Sequence, residues 1–164
     1  MSTEKEKMLR GEYADISDPE LSASHARTRE LWTELNTLPI KSPLYRDTLR
    51  KLIPGIPDSS VIMTPFYCDH GHITIGENVF INLGCTFLDG GGITIGDHTL
   101  IGPSVQIYTP IHPKDHIERR KTIEYSPAVH IGSDCWIAGG PLILPGVTNG
   151  DRCIIGAVRG RTQD

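Results

Sequence analysis

Much of the concentrated chemistry of this 164-residue chain lies between Tyr108 and Ala128, in the stretch YTPIHPKDHIERRKTIEYSPA. It holds His112, Lys114, Asp115, His116, Glu118, Arg119, Arg120, Lys121, Glu124 and Tyr125. An imidazole suits the task of taking a proton from a hydroxyl near neutral pH, because its ordinary pKa is about 6.5. His112 is therefore a candidate general base, although a lone loop histidine is more often bonded to a nearby backbone carbonyl. Arg119-Arg120-Lys121 could hold a phosphate-bearing ligand, but a solvated charge run is the commoner meaning of such a cluster. Metal chemistry has weaker support. The four cysteines, at 68, 85, 135 and 153, form no CxxC pair, so they read as small apolar core residues and not as zinc ligands or a disulfide frame.

The elements that must position this stretch are written in a six-residue period. Ile75, Ile81 and Phe87 stand six apart, as do Ile95, Ile101 and Ile107. After the loop, Ile131, Ile137, Ile143, Asn149, Ile155 and Arg161 resume the step. A small or polar residue usually follows the apolar one, and a compact residue such as Val79, Cys85, Thr99, Val105, Cys135 or Cys153 comes four places on. Helices repeat every 3.6 residues and strands every 2, so neither accounts for the period. It predicts an all-β chain: a parallel β-helix of triangular coils, one hexapeptide per side. Ile131 should then stack on Asn149, Ile137 on Ile155 and Cys135 on Cys153. The interruption over 108–128 must leave the stack at a corner, where a rigid scaffold presents a loop without losing its ladder.

Length allows one domain with a small appendage. A formal net charge of −4 with no broad basic face argues against nucleic acid as the main partner. The first residues, MSTEKEKMLRGEY, are too charged for a signal peptide. No apolar run approaches the ~20 residues of a membrane span, and a reducing, cytoplasmic setting is the default for such cysteine usage. The chain divides into a helical N-terminal segment over 1–57 and the β-helix over 58–164. Within the first, residues 17–36 read as a helix with Ser17 as N-cap, Glu20 as its capping-box partner and Pro19 in the first turn. Leu21, Thr28, Leu31, Trp32 and Leu35 form its apolar stripe. A second short helix runs from Ser42-Pro43 to Leu52, stopped by Pro54-Gly55. Both helices would cover the open end of the first coil.

The succession of KMLRGEYADISDPEL, PFYCDHG, NVFINLGCTFLD, ITIGDHTLIGPSVQIYT with IHP, and VHIGSDCWIAGGPLILPGVT resembles the maltose, galactoside and nodulation-type O-acetyltransferases of the left-handed β-helix, or hexapeptide-repeat, acyltransferases. The likeness spans roughly residues 7 to 157. Left-handed coiling is implied by this resemblance alone, since parallel connections otherwise favour the right hand. The resemblance implies transfer of an acetyl group from acetyl-CoA to a hydroxyl of a sugar or other small hydroxylated metabolite, with no metal required. It implies a homotrimer with coenzyme A held between subunits, and it makes the N-terminal segment the acceptor side. His112 matches the catalytic histidine. Asn82 matches a residue beside the acceptor hydroxyl, although a corner Asn can equally bond its own turn. Asp15 and Asp89 match acidic residues of the acceptor pocket, and Trp136 an aromatic wall between subunits or simply a packing residue. Gly139, Ala157 and Thr162 match cofactor contacts.

Several residues depart from the family pattern. The segment GAVRGRTQD ends the sequence where relatives carry a GAGSVVTKD-like run and a basic tail, and Asn149 and Arg161 occupy inward positions. His25 stands where an Arg is common, with Arg27 close by, and DHGHITIG is one residue short of the usual spacing. These changes keep a second class of protein in view: a family member that has lost acetyl-CoA chemistry, either another enzyme on a small metabolite or a non-catalytic trimer. A zinc-dependent carbonic anhydrase of the same fold fits less well, because His70, His72, His98, His112, His116 and His130 do not follow its ligand spacing.

Overall fold

From Ile62 to Ile155, the inward hexad residues land over their counterparts in the next coil. The computed structural model describes residues 2–157. One face stacks Val61–Ile62, Phe80–Ile81, Leu100–Ile101, Trp136–Ile137 and Ile154–Ile155 as parallel strands. Ile62, Ile81, Ile101, Ile137 and Ile155 form one column through it. A second face stacks Ile73–Ile75, Ile93–Ile95, Val129–Ile131 and Thr148–Asn149, with Ile131 on Asn149. The third stacks Phe66–Cys68, Cys85–Leu88, Gln106–Tyr108 and Leu142–Ile143. Cys135 and Cys153 also stack, their sulfurs 3.3 Å apart. Burying each large aliphatic of these columns is worth about 1.5–3 kcal/mol, while the flanking amides bond to the coils on either side.

The coils are not uniform. Ile131 and Asn149 are eighteen positions apart, as three bare hexads require, but Ile75 pairs with Ile95, twenty positions on. The extra residues sit at the Asp89–Gly92 corner, against which the returning end of the long loop packs at Ser126. At other corners Asn78, His98, Asp134 and Arg152 take the left-handed backbone conformation, with φ of 55, 57, 56 and 60°. His98 thus serves a turn. Asn149 ends its column with a buried Nδ2 that has no partner among the described residues.

Three helices precede the coils: α1 (Glu4–Leu9), α2 (Pro19–Leu35) and α3 (Pro43–Leu52). The first has no long apolar stripe to mark it in the sequence, and Thr3 and Glu6 write a capping box for it. The N-cap of α2 is Asp18, not Ser17. Asp18 accepts from the amides of Glu20 and Leu21 and directly precedes Pro19, whose fixed φ suits the first helical position. Ser17 instead turns back to Asp15, donating from both its amide and its hydroxyl. Helix α3 starts at Ser42, as its sequence indicates.

The helices close the first coil chemically as well as sterically. Asn36 donates to the Phe66 carbonyl at 3.0 Å and accepts from the Phe66 amide at 2.8 Å, replacing the missing neighbour strand. The Tyr45 hydroxyl donates to the Ile62 carbonyl, and Arg46 donates to the Ser60 carbonyl at 2.9 Å. Leu35, Tyr45, Leu49 and Leu52 join the same buried cluster as Ile62 and Phe66, so the exposed edge is both covered and paired.

Candidate active site

The long loop is folded back on itself and stitched at both ends. Ile111 and Tyr125 exchange backbone hydrogen bonds at 2.9 and 3.1 Å as an antiparallel bridge. That register sets His112 across from Glu124. Glu124 is held on its other side too, because Ile123–Glu124 pairs antiparallel with Ala14–Asp15. The Ile16 amide extends this contact to the Thr122 carbonyl at 2.8 Å. Thr109 anchors the loop's exit: its hydroxyl donates to the Leu88 carbonyl at 2.9 Å and accepts from the Gly91 amide at 3.0 Å. Where the chain returns, Ser126 packs its carbonyl against Gly91 so closely that no side chain would fit between them.

A cavity of about 440 Å3 opens beneath this loop. His112 and Glu124 line one side, Leu21, Ser22 and His25 of α2 another, and Asp69, His70 and Leu88 the coil side. The His112 side chain is 58% exposed and that of Glu124 13%. His112 Nε2 stands 3.9 Å from Glu124 Oε2, beyond hydrogen-bond length but close enough for a charge on the ring to be felt. Burial pushes the Glu124 carboxyl above the usual range, partly offset by His112. His25 Nε2 lies 3.7 Å from Asp69. His25 stands where the family commonly carries an Arg, but nothing in the sequence sets Glu124, Asp69 and His70 apart as neighbours of His112. Only the bridge register and the packing of α2 bring them to His112.

Asp89 is buried at the extra corner, where its Oδ1 accepts from the amides of Asp69 and His70 at 3.1 and 2.7 Å. Its Oδ2 has no partner among the described residues. Burial pushes its carboxyl up to about 6, against lowering by those amides, and burial likewise pushes Asp69 to about 6. A carboxyl whose folded pKa exceeds its unfolded value binds more protons folded than unfolded between the two. Stability contributed here is therefore present at low pH and lost as pH rises from about 4 to about 6. Asp89→Asn preserves the acceptor for both amides and removes the buried charge. The variant should be more stable than the parent at pH 7.5 by roughly 1–3 kcal/mol, with the gap closing towards pH 4. Thermal unfolding at the two pH values checks this.

The other residues singled out from the sequence fall in different places. Asp15 is occupied as a latch: it accepts from Ser17 and from the Thr122 hydroxyl at 2.8 Å. Those bonds, Ser17 first, hold its carboxyl below the usual range. Its neighbour Ile16, and not Asp15, lines the cavity. Asn82, Trp136 and Gly139 meet elsewhere, in a shallow trough of about 330 Å3 with Phe80, Leu100, Gly102, Pro103 and Ala138. Asn82 accepts from the Leu83 amide at 2.8 Å, and Trp136 is 53% exposed. The trough shares no residue with the His112 cavity. Ala157 is exposed at the last described coil, while Thr162 and Arg161 lie outside the described residues. Arg119 bonds the carbonyls of Pro113 and Lys114, and Lys121 pairs with Glu118 at 2.6 Å. The basic run thus braces the loop. Among the described residues no three His, Cys, Asp or Glu side chains converge to hold a metal ion, and no helix is long and apolar enough to cross a membrane.

A hexapeptide solenoid carrying a histidine on a corner loop has clear counterparts. The chain is 41% identical over 148 residues to nodulation protein L of Rhizobium meliloti, covering 89% of this chain and 81% of that protein. A maltose O-acetyltransferase from Clostridium difficile superposes with a TM-score of 0.91 at 39% identity, over 95% of this chain and 84% of that one. A hexapeptide-repeat-containing acetyltransferase from Vibrio cholerae, complexed with acetyl coenzyme A, gives 0.87 at 38% identity, over 96% and 85%. No protein-family model matches the chain. Fold and relatives together define an acyltransferase. The chain belongs to the hexapeptide-repeat acetyltransferases.

Proposed function

We propose that this chain moves the acetyl group of acetyl-CoA to a hydroxyl of a sugar or another small hydroxylated metabolite, with His112 as general base. The observation that supports this most directly is the half-open cavity lined by both His112 and Glu124, whose side chains face each other at 3.9 Å. The acceptor hydroxyl gives its proton to the imidazole as its oxygen bonds the thioester carbonyl carbon. The carbon–sulfur bond then breaks, and the imidazolium returns the proton to sulfur, so coenzyme A leaves as a thiol. Glu124 acts on the ring while it is charged, stabilising the imidazolium through its negative charge. A cysteine nucleophile has little support: Cys68, Cys85 and Cys135 are buried, and burial pushes the Cys85 and Cys153 thiols up to about 11.

The trough around Asn82, Trp136 and Gly139 suits the narrow arm of coenzyme A. Its floor is kept low by small residues, since a Cβ on Gly139 would stand 3.3 Å from Pro103. One chain keeps trough and His112 cavity separate, so we place the complete site between neighbouring subunits of a homotrimer. The face that holds the trough favours this. Leu100, Trp136 and Ile154 form an outward apolar ladder, 50, 53 and 70% exposed, which a second copy of the chain would cover.

Equilibrium binding of acetyl-CoA, followed by thiol release with a panel of sugars, tests the reading. Micromolar binding with acceptor-dependent release is expected; no binding at millimolar concentration would sink it. Mixing unfolded His112→Ala and Asn82→Ala chains and refolding them together should restore activity that neither variant has alone. Failure of that mixture, with trimers formed, would remove the shared site.

A further inference from the structure

A second cavity, of about 420 Å3, shares His70 with the first as a lining residue. Its charge is unlike that of the rest of the molecule. The chain carries a formal −4, yet this hollow is ringed by Lys5 of α1, Arg27 of α2 and Lys51 of α3. The one carboxylate among its lining residues, Glu20, lies 3.6 Å from Lys5. Arg27 and Lys51 enter no ion pair among the described residues. Three helices therefore each deliver a cation to one concave place, and two of those cations have no ion-pair partner among the described residues.

The remaining walls are suited to a polar ring with an anionic end. Leu31, Leu52 and Pro54 provide an apolar floor, while His70 Nδ1 meets the Ser24 hydroxyl at 3.3 Å. The stacked His70 and His72 rings add no competing charge. Burial drives both below the ordinary histidine range, His70 to about 4, and Lys5 is a further cause for each. His72 Nδ1 lies 3.2 Å from the Gly90 carbonyl, which can only accept, so Nδ1 is the donor and Nε2 remains free to accept from a ligand hydroxyl.

Helix α2 links the two hollows. Ser22 and His25 line the first, and Ser24, Arg27 and Thr28 line the second. Ser22 and Arg27 are five positions apart, about 7.5 Å along the helix axis, the span of one substituted sugar ring. We propose that the second cavity is a subsite for an anionic substituent, a carboxylate or phosphate monoester, on the same acceptor whose hydroxyl is presented to His112. The acceptor class is then an acidic sugar or a sugar phosphate. This rests on the acetyltransferase reading above and narrows it.

Matched acceptors decide the matter: glucuronate against glucose, and glucose 6-phosphate against glucose. The acidic member of at least one pair should show a KM lower by about tenfold, and the advantage should shrink as salt is raised. Which pair shows it separates carboxylate from phosphate. Arg27→Gln with Lys51→Gln should erase the difference between the members of that pair. Equal KM values within both pairs, or a double variant that keeps the preference, would overturn the subsite. If no acceptor is acetylated, calorimetry on the purified protein still decides. Binding of glucuronate or glucose 6-phosphate over glucose, lost in the double variant, upholds the subsite and faults the reaction instead. No anion-dependent binding would overturn the subsite.

Discussion

His112→Ala should leave a folded chain whose kcat for acetyl transfer falls by about 10²–10⁴, the usual worth of a positioned general base. The side chain is more than half exposed, so its loss opens no core cavity and thermal stability should barely move. KM for acetyl-CoA should change little, because Gly139, one of the residues matched to cofactor contacts, lies in a trough that His112 of the same chain does not line. That split, kcat down with KM near its parent value, marks an interaction made in the transition state. Glu124→Gln should cost less, about tenfold, since it keeps the shape and removes only the charge that steadies the imidazolium. Mass spectrometry of the enzyme during turnover should find no acetylated cysteine. An undiminished rate in His112→Ala, or an acetyl-cysteine adduct, would refute the direct transfer.

The coils were legible because their columns are made by residues close to three hexads apart, and the pairs Ile131/Asn149 and Ile137/Ile155 occur at the expected register. The hexad rule is blind to corners. It does not announce that Asp89–Gly92 adds residues, or that the addition buries a carboxylate beside Asp69. Local capping was legible to within one position: two adjacent polar residues, Ser17 and Asp18, compete for one cap, and the carboxylate next to Pro19 takes it because Asp15 recruits the other. His112 stood out by its loop and its resemblance to a catalytic position. Glu124 did not, for its meaning depends on the Ile111–Tyr125 bridge, a contact between segments that no periodicity encodes. At Asp15 the packing adds a structural part that the sequence does not announce: its bonds to Ser17 and Thr122 tie the N-terminal segment to the loop.

The same dependence of the site on corner packing predicts a graded response along Gly90-Gly91-Gly92. A Cβ on Gly91 would stand 1.7 Å from the Ser126 carbonyl oxygen and 2.5 Å from its carbon. Both are backbone atoms, so no rotamer change relieves the overlap. Either the corner or the returning loop must move. Gly91→Ala should therefore cost about 3 kcal/mol, at the upper end for overpacking, or a fall in Tm of roughly 6–12 °C for a domain of this size. Tyr125, whose bridge to Ile111 sets His112 against Glu124, directly precedes Ser126. A shift of about 1 Å there should lower kcat by about 10²-fold even in the protein that remains folded. At Gly90 the nearest atoms to a new Cβ are Met8 Sδ and Ser126 Oγ, both at 3.2 Å, side-chain atoms able to give way. At Gly92 the Cβ would have room, its nearest neighbour being the His72 carbonyl at 3.9 Å, but φ is +93° and the strain is about 1 kcal/mol. Unfolding curves and single-turnover rates for the three alanine variants should therefore single out Gly91 in both measures, with Gly90 and Gly92 close to the parent in rate. Equal losses at all three positions would mean that chain flexibility, and not the contact with Ser126, is what the corner supplies.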